Sequence, residues 1–543
     1  MRRNERSPQL TTRSRSRRGS ARCNNKSVTA QPGAAGPNNT QTIARNSFWY
    51  GLELLSSIFA AFLVSVIVAR VLGPQRLGYY TYVMLLTNIT SVVGCFGLPM
   101  TTRKYMAEYL NRGQRGLARS IYITAFRIQF WIAVALTAIG LTLVFTVGEP
   151  GQQAISVLLV LNMAPRMIGF IPSQANSAAE ALEKNAFPSV ISISVSLGLT
   201  LLSLWLRWDL PGIAASVLVG TMLDCGLKLR SVRQWLGGTE PAPIPSDLKR
   251  QLLVYSGEGV ALMLLNVVIW DRSDVWFLKK LNPNIAQVTF FSQAFGFVEK
   301  LLMAPNAFGG SLGATLMAQY GRGEGKLNAM TVEGARYAFL IASPLLVGIA
   351  CISGPAVLLI WGEQYRPMIP VLAIVALLAI PKALVTAPTA LLQATEKQRF
   401  LVSWGMFCGG VNILLDILLT PGKGAVGAAI ANGTAQSLAA VGTWVQAYRL
   451  FHLDLRLPAL GRIAAAGLAM AAAAVAVSRT IPGYAGLAAA ILAGMLVWFG
   501  VLRWTGAMDQ NDGQRFLSVG RALPGRVRPV WNGLVNLIAP GAE

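Results

Sequence analysis

From Phe48 to Ala69 the chain runs for 22 residues with one charge, Glu53. A helix of about 20 apolar residues crosses the hydrocarbon core of a bilayer, so this run predicts a membrane-spanning helix rather than a helix of a soluble core. Gly73-Pro74 and Gly78 then break the helix, and Tyr79 and Tyr80 fall where aromatic rings anchor at a membrane–water boundary. The rest of the chain repeats this unit of apolar run, Gly/Pro break and apolar run. About fourteen spans result, centred near residues 59, 90, 133, 164, 196, 220, 264, 299, 347, 379, 409, 436, 471 and 493. The predicted fold class is an all-α integral membrane protein.

The pattern also repeats on a longer scale. Tyr50-Gly-Leu-Glu53 matches Tyr255-Ser-Gly-Glu258, and Met106-Ala-Glu-Tyr109 matches Met317-Ala-Gln-Tyr320. Gly148-Glu149 matches Gly362-Glu363, Pro165-Arg166 matches Pro381-Lys382, and Gly212-Ile-Ala-Ala215 matches Gly427-Ala-Ala-Ile430. The offsets cluster between 205 and 216, which predicts two copies of a six-helix lobe. Six is even, so the copies run in the same direction, related by a pseudo-twofold axis along the membrane normal. The predicted organisation is a disordered basic tail (1–45), an N-terminal lobe (46–235), a linker (236–250), a C-terminal lobe (251–450), two accessory helices (451–505) and a second tail (506–543).

Composition sharpens the class. The chain is 53% hydrophobic and 13% charged, against about 25% charged in soluble domains. A net charge of +24 would suggest nucleic acid in a soluble protein. Here the cations alternate from one connection to the next: 35 of the 47 Lys/Arg fall on the side of the N-terminus, 8 on the other, and four lie within spans. That asymmetry predicts both termini in the cytoplasm and no nucleic-acid partner. The tail of residues 1–45, with ten Lys/Arg, reads as a cytoplasmic segment touching anionic membrane lipids; a transit peptide and a DNA-binding arm are the other readings of its composition. Five separated cysteines and a single histidine, His452, argue against a disulfide framework and a histidine-built metal site. No cofactor motif is present: Gly321-Arg-Gly-Glu-Gly-Lys-Leu327 has the wrong spacing for a phosphate-binding loop and Leu where a hydroxyl is needed. Gly309-x-x-x-Gly313 reads as a close helix contact.

Four stretches carry a resemblance to a known family: ARVLGPQRLGYYTY (69–82), IWDRSDVWFL (269–278), WGEQY (361–365) and GKGAVGAAIA (422–431). In this order they resemble the polysaccharide transporter (Wzx-type oligosaccharide flippase) family of the multidrug/oligosaccharidyl-lipid/polysaccharide exporter superfamily, over roughly residues 46–505. The resemblance implies two six-helix lobes around a cavity. It also implies translocation of undecaprenyl-diphosphate-linked oligosaccharide across a bacterial cytoplasmic membrane, in a pathway shared with a polymerase or copolymerase. A cation-coupled multidrug exporter and a peptidoglycan lipid-precursor flippase are the alternatives within the superfamily. A membrane glycosyltransferase or polymerase is the reading from another class. The outer connections are too short for a catalytic domain, so the chain is expected not to be an enzyme.

Ionisable groups at membrane depth are costly unless they face protein or water, so each is a candidate site residue. Arg166 and Lys382 each follow a proline in mid-span at matched positions of the repeat. Facing one cavity, they would suit a diphosphate, Arg by bidentate hydrogen bonds and Lys as a point charge. The competing reading pairs each with a carboxylate, such as Asp224 or Asp416, or lets it snorkel. Arg272 and Lys300 are the further candidate cations. Glu53 and Glu258 form a second matched pair, either coupling groups for H+ or Na+ or salt-bridge partners. Asp271 and Asp274 share a helix face near the outer end of their span and read as an outer-mouth gate or cation site. Glu299 and Lys300 are adjacent, so they point to different sides, and at least one is expected to face the cavity.

Overall fold

The computed structural model describes residues 37–148, 151–264, 273–319, 324–395, 397–454 and 456–508, with 512–514, 517, 528–529, 532–533 and 535. Among the described residues the regular elements are helices, with no strand. They are α1 (Pro37–Val93), α2 (Leu98–Asn111), α3 (Arg115–Val147), α4 (Gln153–Leu161), α5 (Met163–Ala178), α6 (Glu183–Trp205) and α7 (Asp209–Leu236). The linker leads to α8 (Ser246–Leu264), α9 (Ser273–Leu281), α10 (Ala286–Gln319), α11 (Glu324–Cys351) and α12 (Ser353–Ile360). Then follow α13 (Met368–Leu378), α14 (Ile380–Leu384), α15 (Thr386–Ala394), α16 (Gln398–Phe451), α17 (Leu457–Thr480) and α18 (Gly483–Thr505).

Nine described helices are long and apolar enough to cross a membrane, or ten if the pair Phe62–Val93 and Leu98–Asn111, which meet at 41°, forms one span. The count of fourteen rests on the sequence. Large apolar side chains point outward along these helices: Trp131 and Phe145 on α3, Leu418 on α16 and Leu496 on α18 are all exposed. Such contiguous apolar faces are stable against lipid, not against water.

The two longest helices are broken where the sequence places its turn residues. Within α1 the backbone leaves the helix at Gly73 (φ 76°, ψ 169°), ahead of Pro74. Within α16 it leaves at Gly424 (φ 55°), three residues after Pro421. Positive φ is reached at little cost by glycine alone. Gly78, expected to break the helix, does not. Its missing Cβ lets α1 approach the backbone of the second half, where a methyl would overlap the Ile285 carbonyl oxygen. Tyr79 and Tyr80, expected at a membrane boundary, are instead buried, and the Tyr79 hydroxyl lies 3.0 Å from the Ser156 hydroxyl. Tight packing beside Gly78 draws them inward.

The described part of the first helix includes residues 37–45, inside the segment 1–45 assigned to a tail. The prolines of the repeat sit at matched interruptions. Asn162 separates α4 from α5 just before Pro165, and Ala379 separates α13 from α14 just before Pro381. A proline supplies no N–H to the preceding turn, so the ladder loosens there. Helices α1 to α7 pack on one another, and α10 packs against α1, α11, α13 and α15. The pair α17 and α18 rests on α11. Beyond α18 the chain is tied back: Asp512 pairs with Arg336, both buried, and accepts a 2.5 Å hydrogen bond from the Tyr337 hydroxyl.

Candidate functional site

Between the halves lies a cavity of about 740 Å³. Its wall comes from α1, α5, α6 and α7 of the first half and from α9 and α10 of the second. Apolar residues such as Val68, Met84 and Ile213 form most of it. Set into them are Ser65, Tyr80, Asn88, Ser292 and Gln293, and two cations, Arg166 and Lys300. Among the described residues no Asp or Glu lines the cavity. The Ser65 hydroxyl donates to Gln293 Oε1 at 2.6 Å, a polar bond joining the two halves. Asn88 Oδ1 and Ser292 Oγ are buried in the wall without a protein hydrogen-bond partner. Buried polar atoms of this kind usually meet a ligand or water.

Arg166 reaches the cavity because the interruption at Asn162 and Pro165 re-aims the start of α5. Lys300 reaches it from mid-α10, where its Nζ donates to the Gly296 carbonyl at 3.1 Å. The expectation that one of the adjacent residues Glu299 and Lys300 faces the cavity is met by Lys300. The expected partnership of Arg166 with Lys382 is not. Lys382 Nζ lies 2.6 Å from Glu299 Oε1, in a separate small pocket with Phe295, Val375 and Gln436. The carboxylate that points away from the cavity on α10 captures the lysine of α14. The matched cations of the repeat therefore have unlike surroundings.

The second half holds a buried acidic pair. Asp274 on α9 and Asp416 on α16 are both fully buried, and the two carboxylates face one another. Asn412 Nδ2 donates to Asp274 Oδ1 at 3.4 Å, and Asn432 Nδ2 donates to Oδ2 at 3.0 Å. Gln436 supports Asn432 with a 2.7 Å bond to its Oδ1. Neither oxygen of Asp416 receives an N–H or O–H from another residue. Two buried negative charges side by side require a proton or a bound cation between them. Asp274 thus belongs to a buried polar cluster. The sequence signal missed here was Asn412-x-x-x-Asp416, two polar side chains on one face of an apolar helix. Asp224, considered as a partner for a mid-span cation, pairs with Lys228 one turn away at 2.7 Å.

The remaining candidates are placed less fully. Asp271 and Arg272 lie outside the described residues. Glu53 and Glu258 lie on α1 and α8, with their side chains outside the description.

The halves touch at both ends of the cavity. At one end, Gln364 Nε2 donates to the Arg70 carbonyl at 3.2 Å, the Tyr365 hydroxyl to the Ala69 carbonyl at 2.9 Å, and the Thr289 hydroxyl to the Pro74 carbonyl at 2.6 Å. At the other end, the Thr101 and Ser256 hydroxyls are 2.7 Å apart, and Lys104 Nζ sits 3.9 Å from the Tyr255 ring centroid. Gly97 (φ 67°) lies against Ser256, where a Cβ would overlap the carbonyl oxygen.

A cavity between two helical halves that touch on either side of it goes with a multi-pass membrane protein with the fold of multidrug/oligosaccharidyl-lipid/polysaccharide (MOP) superfamily transporters. Solved structures share that fold. "Lipid II flippase MurJ, inward closed conformation" aligns over 83% of this chain and 97% of its own, with TM-score 0.65 and 14% identity. An inward-facing MATE-family multidrug resistance transporter of the MOP superfamily aligns over 75% and 98%, with TM-score 0.60 and 13% identity. A MOP superfamily transporter from Pyrococcus furiosus, whose title notes a reverse polarity of its binding pocket, aligns over 76% and 96%, with TM-score 0.54 and 12% identity. Residues 43–313 match the family model described as "Polysaccharide biosynthesis protein". No curated protein matches the chain.

Proposed function

We propose that this protein is a flippase that moves undecaprenyl-diphosphate-linked oligosaccharide repeat units across a bacterial cytoplasmic membrane by alternating access, both termini being cytoplasmic. The supporting observation is the cavity lined by Arg166 and Lys300 and, among the described residues, by no carboxylate. In a space with low-dielectric walls, two cations favour an anionic headgroup strongly over a cationic drug. Arg166 holds a diphosphate oxygen pair through its planar fork, and Lys300 adds a point charge. Ser65, Asn88, Ser292 and Gln293 hydrogen-bond the first sugars. Downhill movement of H+ or Na+ through the Asp274–Asp416 pair drives the cycle, because filling that pair changes the charge buried in the second half. A peptidoglycan lipid precursor presents the same headgroup chemistry and is the second reading. A polymerase or copolymerase would then take up the delivered units.

The test is a strain lacking the protein. Lipid-linked repeat units should accumulate on the inner leaflet, and wild-type protein should clear them. Unchanged glycan export together with a defect in peptidoglycan precursor movement would replace the first reading with the second. Unchanged movement of both would end the flippase assignment.

A further inference from the structure

A second cavity of about 620 Å³ lies outside the central one and shares none of its lining residues. It is a groove between α3 and α7, at the end that the cation asymmetry assigns to the cytoplasm. Arg119 enters from the second turn of α3, and Arg230 and Arg233 from the last turns of α7. Among the described residues no Asp or Glu lines the groove, and none of these three arginines forms an ion pair. Below them Tyr122 and Phe126 line the wall, and the stack of rings continues to Phe130, with centroid separations of 6.0 and 6.5 Å. Opposite them Gly226 leaves the wall open: nothing stands within 4 Å of where its Cβ would be.

We propose that this groove binds an anionic glycerophospholipid of the cytoplasmic leaflet. The phosphate sits among the three guanidinium groups, and one acyl chain runs down the slot between the aromatic rings and Gly226. Arginines that merely snorkel from a lipid-facing helix would not converge from two helices on an acid-free recess. Arginine's paired N–H donors match a phosphate, and the open apolar slot below matches a hydrocarbon tail. The central cavity takes a headgroup in transit; this groove holds a resident lipid at the periphery of the first half. The proposal needs no particular cargo.

The test uses the full-length chain in phosphatidylcholine vesicles containing phosphatidylglycerol with a photoreactive acyl chain. The label should map to residues 119–126 and 226–237. Unlabelled phosphatidylglycerol should compete it away, and phosphatidylcholine should not. Removing all three charges by Arg119→Gln, Arg230→Gln and Arg233→Gln should weaken the competing affinity on the order of a hundredfold, at about fivefold for each charge near the surface. Gly226→Leu, which fills the slot and leaves the charges, should cut labelling at the same peptides, whereas Arg479→Gln at the opposite end should not. Label spread evenly over the lipid-facing helices, or equal competition by phosphatidylcholine, would overturn the proposal. So would displacement by a polyprenyl diphosphate but not by phosphatidylglycerol, since the groove would then belong to the transported carrier. If the triple variant does not fold, the competition pattern on the wild-type chain decides alone.

Discussion

Arg166 and Lys382 occupy matched positions of the internal repeat, each just after a proline and a mid-span interruption, yet they live in different electrostatic worlds. Arg166 opens into the central cavity, while Lys382 is paired with Glu299 in a side pocket. The backbone device is the same in both halves. The carboxylate of Glu299 on α10 makes Lys382 half of an ion pair. Its neighbour Lys300, about 100° further round the helix, takes the place that symmetry would have given to Lys382. A repeat therefore transmits backbone geometry faithfully and charge state hardly at all.

The sharpest way to break this comparison is to remove both cavity cations. Arg166→Ala with Lys300→Ala should reduce export on the order of a thousandfold, taking about 2 kcal/mol for each charge-assisted contact. Membrane levels of the variant should stay normal on an immunoblot. Arg166→Ala alone should cost about thirtyfold by the same reckoning, whereas Lys382→Ala should stay within about fivefold because its partner is only half-buried and solvent takes over. Equal losses for Arg166→Ala and Lys382→Ala would restore the symmetric picture. Asp416→Asn should lower gradient-driven transport about tenfold, a loss of about 1.4 kcal/mol of coupling. Its flux should no longer depend on the imposed H+ or Na+ gradient in vesicles, and a variant that kept the dependence would remove the acidic pair from the mechanism. The smallest effect is on stability. Lys382→Ala and Glu299→Gln should each lower the melting temperature slightly, and the double variant should lose less than the sum, by about 1 kcal/mol or less of pair energy.

Most of the fold was legible because it depends on local features of the chain. Apolar run lengths gave the helices, Gly73-Pro74 marked the break in α1, and Pro165 and Pro381 marked the paired interruptions. Tyr79 and Tyr80 were misread because they pack inside the fold, beside Gly78, which meets the turn at Ile285 more than 200 residues away. The same limit governs the site. Arg166 could be found from hydropathy alone, since a mid-span arginine near a proline is conspicuous. The pairing of Glu299 with Lys382 spans 83 residues and depends on the rotational setting of α10 against α14, which no local pattern encodes. The Asp274–Asp416 pair likewise joins helices remote in sequence, though Asn412 and Asp416 one turn apart on an apolar helix were a readable hint.

Gly78 and Gly97 have a mechanical consequence. Each is a point where the first half bears directly on a backbone carbonyl of the second, at Ile285 and at Ser256, and the two lie on one stretch of chain. The helix from Gly78 to Val93 is about 22 Å long, so it works as a lever with a fulcrum available at either tip. Tilting by about 20° on one glycine swings the other tip through roughly 8 Å over that length. In the alternating-access cycle proposed above, one mouth would gape while the opposite one stays shut, with the bare backbone at each glycine as the seat of the pivot.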